Sequence, residues 1–310
     1  MNTAELHGFG TAAVQASVAG RTHPGRRRRE NQDNFLISDL SATDHGVILR
    51  PETRTDGAVP ETRFDIGERG VLCMIADGMG GAAAGRLASG LACTFVVAEM
   101  IERWSSARDR TPRRFASCLS DAVNNANTRI HQHALRHPET AGMGSTVTAC
   151  GVSDRFLFIA QVGDSRAYLV RANVATLLTR DQSLVQEMID AGAISERDAE
   201  RSERGNVILQ ALGVRSDVSV DLTYQELRRN DSLVLCSDGL HRLVSPEEIA
   251  ATVGRGPTPD AVCHDLITMA NARGGADNIT VVAVRFGGAA LPEPRADDYV
   301  RRTTYAIDAA

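Results

Sequence analysis

The sequence predicts an α+β fold, a four-layer αββα sandwich in which two antiparallel β-sheets pack face to face and helix pairs flank them. From Ser145 onward, short apolar runs alternate with turn residues such as Ser153-Asp154 and Gly163-Asp164, which is typical of antiparallel hairpins. The predicted elements follow the order strand, two long helices, many strands, two helices and strand. This order does not fit a repeating βαβ crossover fold.

The strand predictions rest on short apolar runs that are bounded by turn residues. These runs are VLCMIA at 71–76, TVTACGV at 146–152, FLFIAQV at 156–162, RAYLV at 166–170, VATLL at 174–178, DVSVDLT at 217–223, DSLVLCS at 231–237 and NITVVAVRF at 278–286. A first strand is predicted to begin near Ala12. The polar residues 38–69 are expected to form a loop or an excursion at a strand edge.

Two long helices are predicted between the first strands and the hairpins, each with one apolar face at three- and four-residue steps. The first face consists of Leu87, Leu91, Phe95, Ala98 and Ile101, and the second of Phe115, Leu119, Ala122, Ala126 and Ile130. Pro112 suits the first position of the second helix, where a missing N–H costs nothing. Shorter helices are predicted at about 183–191, 246–252 and 259–271.

The chain is interpreted as one domain over residues 12–286, followed by a polar tail at 287–310 that is expected to be disordered. The net charge of −5 and the absence of a basic stripe argue against a nucleic-acid partner. No signal peptide and no apolar stretch of membrane-spanning length is recognised, so no membrane contact is expected.

The six cysteines are scattered and form no CxxC pair, which argues against a zinc or redox motif. Several lie in apolar runs and are interpreted as buried free thiols, which favours a reducing, cytoplasmic compartment. All basic side chains other than histidine are arginines, and genome composition is the simplest explanation.

Five aspartates have a similar setting, and in most of them an apolar run adjoins the acid and a glycine lies beside it. They are Asp33, Asp77, Asp164, Asp238 and Asp277. Each Asp-Gly pair taken alone is more often a turn. Several carboxylates at one sheet rim would repel each other unless cations neutralised them, and oxygen ligands without His or Cys favour Mg²⁺ or Mn²⁺. Two such ions would activate a water for attack on phosphorus.

The run Arg26–Arg29 lies shortly before Asp33. Such a run is most often a solvated surface. Beside a carboxylate-rich metal site, one of these arginines would instead bind a phosphate dianion through two hydrogen bonds.

These motifs resemble the protein phosphatase 2C family, the metal-dependent Ser/Thr phosphatases, in its bacterial form. The motifs occur in the family's order over about residues 14–286. They are RRENQD, ADGMGG, GSTVTA, VGDSRAYL, LTRDQSLV, ALG, CSDGL and GGADNITVV. One motif alone would be weak, whereas the ordered set is specific. The resemblance implies the same αββα sandwich and a mobile flap at about 181–207.

The resemblance also implies roles for individual residues. Asp77 would bridge two Mg²⁺ or Mn²⁺ ions, the carbonyl of Gly78 would add a ligand, and Asp238 with Asp277 would complete the first metal site. Arg28 would bind the phosphate, and Asp33 would hold metal-bound water or ligate the second ion. Asp164 would hold a third, weaker ion together with Asp238, and Asn278 would orient Asp277.

Three departures from the family pattern are present. Met79 stands where animal members have a His that is proposed as general acid, so another acid or metal-bound water must protonate the leaving group. Gln32 replaces a Glu ligand of animal members, which is expected to weaken the second metal site. Gln182 replaces a His near the flap, and SERGN at 202–206 replaces the usual HPxRN, which affects substrate engagement.

The leading hypothesis is a monomeric phosphatase that acts on phosphorylated proteins and opposes a bacterial Ser/Thr kinase. A catalytically silent phosphoprotein-binding module is the alternative, and loss of a metal-binding aspartate would have favoured it. A phosphatase of an anti-sigma-factor antagonist would usually carry a sensor domain. A two-metal nuclease would need a basic groove.

Overall fold

The computed structural model describes residues 13–40, 47–49, 57–67, 69–195, 198, 207–295 and 297–306. The strands in this part of the chain are β1 (Val14–His23), β2 (Asp33–Asp39), β3 (Val47–Leu49), β4 (Gly57–Ile66), β5 (Val71–Met79), β6 (Gly144–Ser145), β7 (Val147–Ser153), β8 (Phe156–Val162), β9 (Arg166–Arg171), β10 (Val174–Leu177), β11 (Asp221–Glu226), β12 (Ser232–Cys236) and β13 (Ile279–Gly287). The α-helices are α1 (Ala82–Ser105), α2 (Pro112–Arg136), α3 (Leu184–Asp190), α4 (Asp238–His241), α5 (Pro246–Arg255) and α6 (Pro259–Ala272).

The strands form two antiparallel sheets. The first has the order β10-β9-β12-β13-β1-β4, and the second has the order β11-β8-β7-β5-β2-β3, with β6 paired to β5. Helices α1 and α2 pack on the second sheet, whereas α5 and α6 pack on the first. The predicted four-layer αββα sandwich is therefore confirmed.

The alternation of side chains along the strands builds the layers. In β2, Leu36 packs in the core between the second sheet and helices α1 and α2. Its neighbours Phe35 and Ile37 point the other way, into the core between the two sheets. A third core, which includes Val234 and Leu266, lies between the first sheet and helices α4 to α6. A strand buried on both faces reads as a continuous apolar run, which is why these strands are visible in the sequence.

Helix α2 follows its prediction closely. It begins at Pro112, the side chain of Thr111 caps it by accepting from the Arg114 N–H, and the predicted apolar face is buried. The predicted face of α1 is only partly correct, because Leu91, Phe95 and Ile101 pack against the core and are partly buried, whereas Leu87 is exposed. The fully buried apolar residues are instead Ala88, Ala92, Cys93, Val96, Val97, Met100 and Trp104. Helix α1 is apolar over most of its circumference, so residue spacing alone does not identify the side that packs.

Two strand predictions are also corrected. Part of the polar region 38–69 forms β4, an edge strand of ten residues that pairs with β1. An edge strand tolerates polar residues and Pro60, because one side of its backbone needs no sheet partner. The DVSVDLT run forms a strand only from Asp221, where pairing with Gln161 of β8 begins.

The C-terminal residues 288–295 and 297–306 are not the disordered tail that was expected. Tyr305 packs edge-on against Phe158 and Tyr224, and the N–H of Tyr305 donates to the Leu222 carbonyl at 2.7 Å. Thr304 forms a bridge with β11. The polar tail therefore covers the outer edge of the second sheet, where backbone groups would otherwise lack partners.

All six cysteines are free and buried, as predicted. Residues Ala83–Trp104 of α1 are long and apolar enough to span a membrane by length and composition, and 44% of the most apolar window is buried inside the fold. Because α1 packs on α2 and β5, this apolar character has a structural explanation in the core.

Candidate functional site

The structure places Asp33 and Asp77 side by side. Asp33 begins β2, Asp77 lies near the end of β5, and the two residues are direct partners in the antiparallel register. Direct partners have Cα atoms about 4.5–5.5 Å apart and share one face of the sheet. Thr146 fixes the backbone of Asp77, since its Oγ1 accepts from the Asp77 N–H at 3.0 Å and its N–H donates to the Asp77 carbonyl at 2.8 Å.

Asp33 connects the two sheets. Its Oδ2 accepts hydrogen bonds from Ser237 Oγ and Thr280 Oγ1, both at 2.7 Å. Those residues belong to the β12 end and the β13 strand of the other sheet. Asp33 Oδ1 is buried without a hydrogen-bond partner. Burial raises the pKa of Asp33 to about 7, with the charges of Asp238 and Asp277 acting in the same direction.

Asp238 and Asp277 come from the ends of the adjacent strands β12 and β13. Asp277 Oδ1 accepts from the backbone N–H of Asn278 at 2.9 Å, and its Oδ2 accepts from Arg28 Nη2 at 2.6 Å. Burial raises the pKa of Asp238, while the nearby guanidinium of Arg242 opposes this shift. One charged cluster therefore contains Arg28, Asp238 and Asp277.

Asn278 fixes the loop that carries Arg28. Its Oδ1 accepts from the backbone N–H of Gln32 at 2.8 Å, and its Nδ2 donates to the carbonyls of Pro24 at 3.1 Å and Glu30 at 2.9 Å. Asn278 thus contacts Asp277 through its backbone, and its side chain holds the arginine loop against β13. The loop position brings Arg28 to the carboxylates.

Asp164 joins the cluster from the turn between β8 and β9. It is 2% exposed, and its Oδ1 has no hydrogen-bond partner. Burial raises the pKa of Asp164 to about 7, and the charges of Asp238 and Asp181 act in the same direction. Arg242 Nη2 lies 3.4 Å from Asp164 Oδ2 and 3.1 Å from Asp238 Oδ2.

The electrostatics of this cluster fit a divalent cation. Burial raises the pKa of Asp77 well above its ordinary value, and the charges of Asp33, Asp238, Asp164 and Asp277 all add to the shift. The carboxylates repel each other, and two of their buried oxygens have no hydrogen-bond partner. A hard cation would relieve both effects.

Within the described residues, no three His, Cys, Asp or Glu side chains are already arranged as a complete coordinating set. A complete set is not required, because Mg²⁺ keeps several waters and takes only one or two carboxylates directly. The chemistry of the donors, all of them oxygens, therefore remains compatible with Mg²⁺ or Mn²⁺.

The glycines beside the aspartates have a structural reason that the sequence did not indicate. A Cβ on Gly78 would lie 2.1 Å from the carbonyl oxygen of Gly85, and one on Gly239 would lie 2.0 Å from that of Asn278. Backbone segments therefore pass too close for a side chain at these positions. The metal-ligand role of the Gly78 carbonyl stays a prediction.

The residues that depart from the family pattern have defined positions. Gln32 Nε2 donates to the Gly81 carbonyl at 2.6 Å, just before α1, and Met79 ends β5 opposite Gly144. The side chain of Gln32 thus binds the backbone that leads into α1. Its predicted effect on the second metal site stays a prediction.

Gln182 connects two loops at the base of the predicted flap. Its Oε1 accepts from the Gly163 N–H at 2.9 Å, and its Nε2 donates to the Ser219 carbonyl at 3.0 Å. The SERGN segment at 202–206, on which a substrate effect was predicted, lies outside the described residues.

Sequence reasoning missed residues that position the aspartates. Ser237, Thr280 and Thr146 provide hydroxyl or backbone hydrogen bonds, and Arg242 with His241 contacts Asp164. Ser237, His241 and Arg242 surround Asp238 in the CSDGLHR motif, so proximity to a candidate ligand was an available signal. The contacts of Thr146 and Thr280 appear only when the sheets pack.

A two-sheet sandwich with an acidic cluster and a fixed arginine at one end is typical of a metal-dependent phosphatase. The sequence profile described as Protein phosphatase 2C matches residues 60–257. The chain belongs to the protein phosphatase 2C family, whose members are serine/threonine protein phosphatases. The predicted family and enzyme class are confirmed.

Relatives support the same assignment. The serine/threonine phosphatase stp of Listeria innocua is 35% identical over 243 residues, which are 78% of this chain and 93% of that protein. The crystal structure of the Mycobacterium tuberculosis serine/threonine phosphatase PstP/Ppp matches with a TM-score of 0.70 at 30% identity, covering 88% of this chain and 99% of that one. A structure of the PstP catalytic domain in complex with two manganese ions matches with a TM-score of 0.68, at the same identity and coverage.

Proposed function

We propose that this chain hydrolyses phosphoserine and phosphothreonine in proteins with the help of two Mg²⁺ or Mn²⁺ ions, and so opposes a Ser/Thr kinase. The observation that carries this proposal is the cluster of four acidic side chains, Asp33, Asp77, Asp238 and Asp277, beside Arg28. The complex of the related PstP catalytic domain with two manganese ions supports the two-ion part.

The residues that would hold the ions are those predicted from the sequence. Asp77 would be shared by both ions, and the Gly78 carbonyl would add a ligand. Asp238 and Asp277 would complete one site, and Asp33 would contribute to the other. When bound, the ions would neutralise the carboxylates and supply an activated water for attack on the phosphorus.

Arg28 would bind the phosphate group. In the structure its Nη2 donates to Asp277 Oδ2 at 2.6 Å, so its guanidinium already lies at the acidic cluster. A cation on Asp277 would weaken this ion pair, and a phosphate dianion would then accept from the same guanidinium. Arg28 would thereby orient the ester toward the carboxylates.

The two carboxylate oxygens of Asp33 differ in their hydrogen bonds. Ser237 and Thr280 both donate to Oδ2, so the protein itself fixes the carboxylate plane. Oδ1 has no partner among the described residues and is the atom that would accept a proton or a water hydrogen bond. Asp33 would thus act through Oδ1 while its Oδ2 maintains the contact between the sheets.

The substrates we propose are phosphorylated proteins, because the chain belongs to the protein phosphatase 2C family and its relatives are serine/threonine phosphatases. The buried free cysteines favour a reducing compartment, so we propose a cytoplasmic location. We further propose that the enzyme is a monomer. Light scattering after size-exclusion chromatography tests the monomer.

The test is release of inorganic phosphate from a phosphothreonine peptide with Mn²⁺ and then with excess EDTA. We expect release that depends on Mn²⁺ in the wild type and in Asp265→Asn, a matched control on the exposed side of α6. Folded protein that binds the peptide and releases no phosphate with any divalent ion would favour the silent binding module instead.

A further inference from the structure

Arg242 links two acidic residues that the chain brings together from different loops. Its Nη2 lies 3.1 Å from Asp238 Oδ2 and 3.4 Å from Asp164 Oδ2. Asp238 begins α4, whereas Asp164 lies in the turn between β8 and β9. One nitrogen of the guanidinium therefore lies between two carboxylates, in the position of a bridging cation.

The carboxylates of Asp164 and Asp238 require a compensating positive charge. Asp164 is 2% exposed, and its second oxygen, Oδ1, is buried without a hydrogen-bond partner. Two carboxylates that contact the same nitrogen repel each other unless a cation or a proton compensates their charge. Arg242 supplies a charge that is permanent at any physiological pH.

Helix α4, which Arg242 directly follows, is itself fixed to the turn of Asp164. His241 Nε2 donates to the backbone carbonyl of Asp164 at 3.0 Å, since a carbonyl only accepts. The Arg242 N–H donates to the Asp238 carbonyl at 3.1 Å. These contacts hold the backbone of Arg242 and Asp238 against the turn of Asp164, so the three charged side chains project from fixed backbone positions.

We propose that Arg242 is a tethered counter-ion that takes the place of a third divalent cation between Asp164 and Asp238. This inference rests on the proposed two-ion function and makes Arg242 a positioning residue. The resemblance to the family predicted a third, weaker ion at these two aspartates. In this chain the guanidinium holds Asp238 in place for the first metal site and excludes the third ion.

The experiment measures Mn²⁺ bound per chain by equilibrium dialysis and elemental analysis. We expect Arg242→Ala to bind one more Mn²⁺ per chain than the wild type, because the freed carboxylate pair recruits an ion. Arg242→Ala combined with Asp164→Asn should lose that additional ion. Arg242→Lys, which keeps a cation, and Arg255→Ala, a control on exposed α5, should match the wild type.

Thermal unfolding provides a readout that does not depend on activity. In EDTA, Arg242→Ala should melt at a lower temperature than the wild type, and saturating Mn²⁺ should reduce this difference. The proposal is overturned if Arg242→Ala folds and binds no additional Mn²⁺, or if the Asp164→Asn combination keeps the additional ion. Phosphate release by the wild type in the same samples separates this outcome from failure of the proposed function.

Discussion

Two regions of the molecule bury acidic side chains, and they treat them in opposite ways. Immediately before β12, Asp231 is 1% exposed and accepts from Arg171 Nε at 2.9 Å and Nη2 at 2.7 Å. The backbone N–H of Arg228 also donates to it at 2.8 Å. At the acidic cluster, by contrast, Asp33 and Asp164 each keep a buried oxygen without a partner.

This difference distinguishes a structural ion pair from a candidate metal site. A buried carboxylate with all its hydrogen bonds satisfied stabilises a packing arrangement. A group of buried carboxylates that repel each other lowers stability, and it persists where a ligand compensates the charge. Burial of an acidic side chain alone therefore says little about function. Whether the protein itself satisfies the hydrogen bonds and the charge of that side chain is more informative.

The largest expected effect tests the acidic cluster. Asp238→Asn should lower phosphate release by at least about 10³-fold, because a metal ligand contributes several kcal/mol and each 1.4 kcal/mol is tenfold in rate. Steady-state kinetics at saturating Mn²⁺ measures it. Near wild-type turnover would remove Asp238 from the metal site.

Asp231→Asn tests the structural ion pair between Asp231 and Arg171. It should lower the free energy of unfolding by about 3 kcal/mol, since the guanidinium of Arg171 stays buried without its charged partner. Urea unfolding measures the loss, and kcat of the folded variant should not change. A large fall in kcat at full occupancy of the folded state would contradict the contrast between the two regions.

Arg28→Ala should raise KM for a small phosphate ester by roughly tenfold, with a smaller effect on kcat. The reason is that one charge-assisted interaction with the bound phosphate is lost, worth about 1.5 kcal/mol. Initial rates across a substrate series measure both constants. A pure kcat effect would instead assign Arg28 to the transition state.

The pH dependence of the metal-free protein tests the charge repulsion within the acidic cluster. The pKa of Asp33 and that of Asp164 are raised to about 7 in the folded state, so folding binds protons that the unfolded chain has released. Stability should therefore fall as pH rises from about 4 to about 7 and level off above it.

Melting temperatures in EDTA across this range measure the effect. Asp33→Asn should flatten the pH dependence, because the substituted amide does not titrate. Addition of Mn²⁺ should reverse the trend by favouring the ionised carboxylates. A melting temperature that rises with pH in EDTA would contradict the repulsion inferred for the cluster.

The fold was predictable where local chemistry and packing agree. The apolar face of α2 and the runs of β5, β7 and β8 appear directly in the sequence, because each is apolar where the structure buries it. The packing face of α1 was predicted only in part, because its sequence is apolar on several sides. The strand β4 was missed because an edge strand needs few apolar residues.

The C-terminal residues illustrate the same limit. Their polar composition predicted disorder, yet Arg302 pairs with Asp221 and Asp298 accepts from Arg228 at 2.9 Å. Arg228 lowers the pKa of Asp298 to about 2. Ion pairs with distant segments do not appear in local composition, so only the folded chain reveals them.

The sequence by itself determined the family, the fold class and the identity of the candidate aspartates and Arg28. The ordered motifs identify these features, because the acidic residues at predicted strand ends and the spacing between them can be read directly from the sequence. Only the tertiary structure decided that Ser237 and Thr280 bind Asp33 across the sheets and that Arg242 lies between Asp164 and Asp238. Those contacts join residues far apart in the chain, and their partners are set by how the sheets and loops pack.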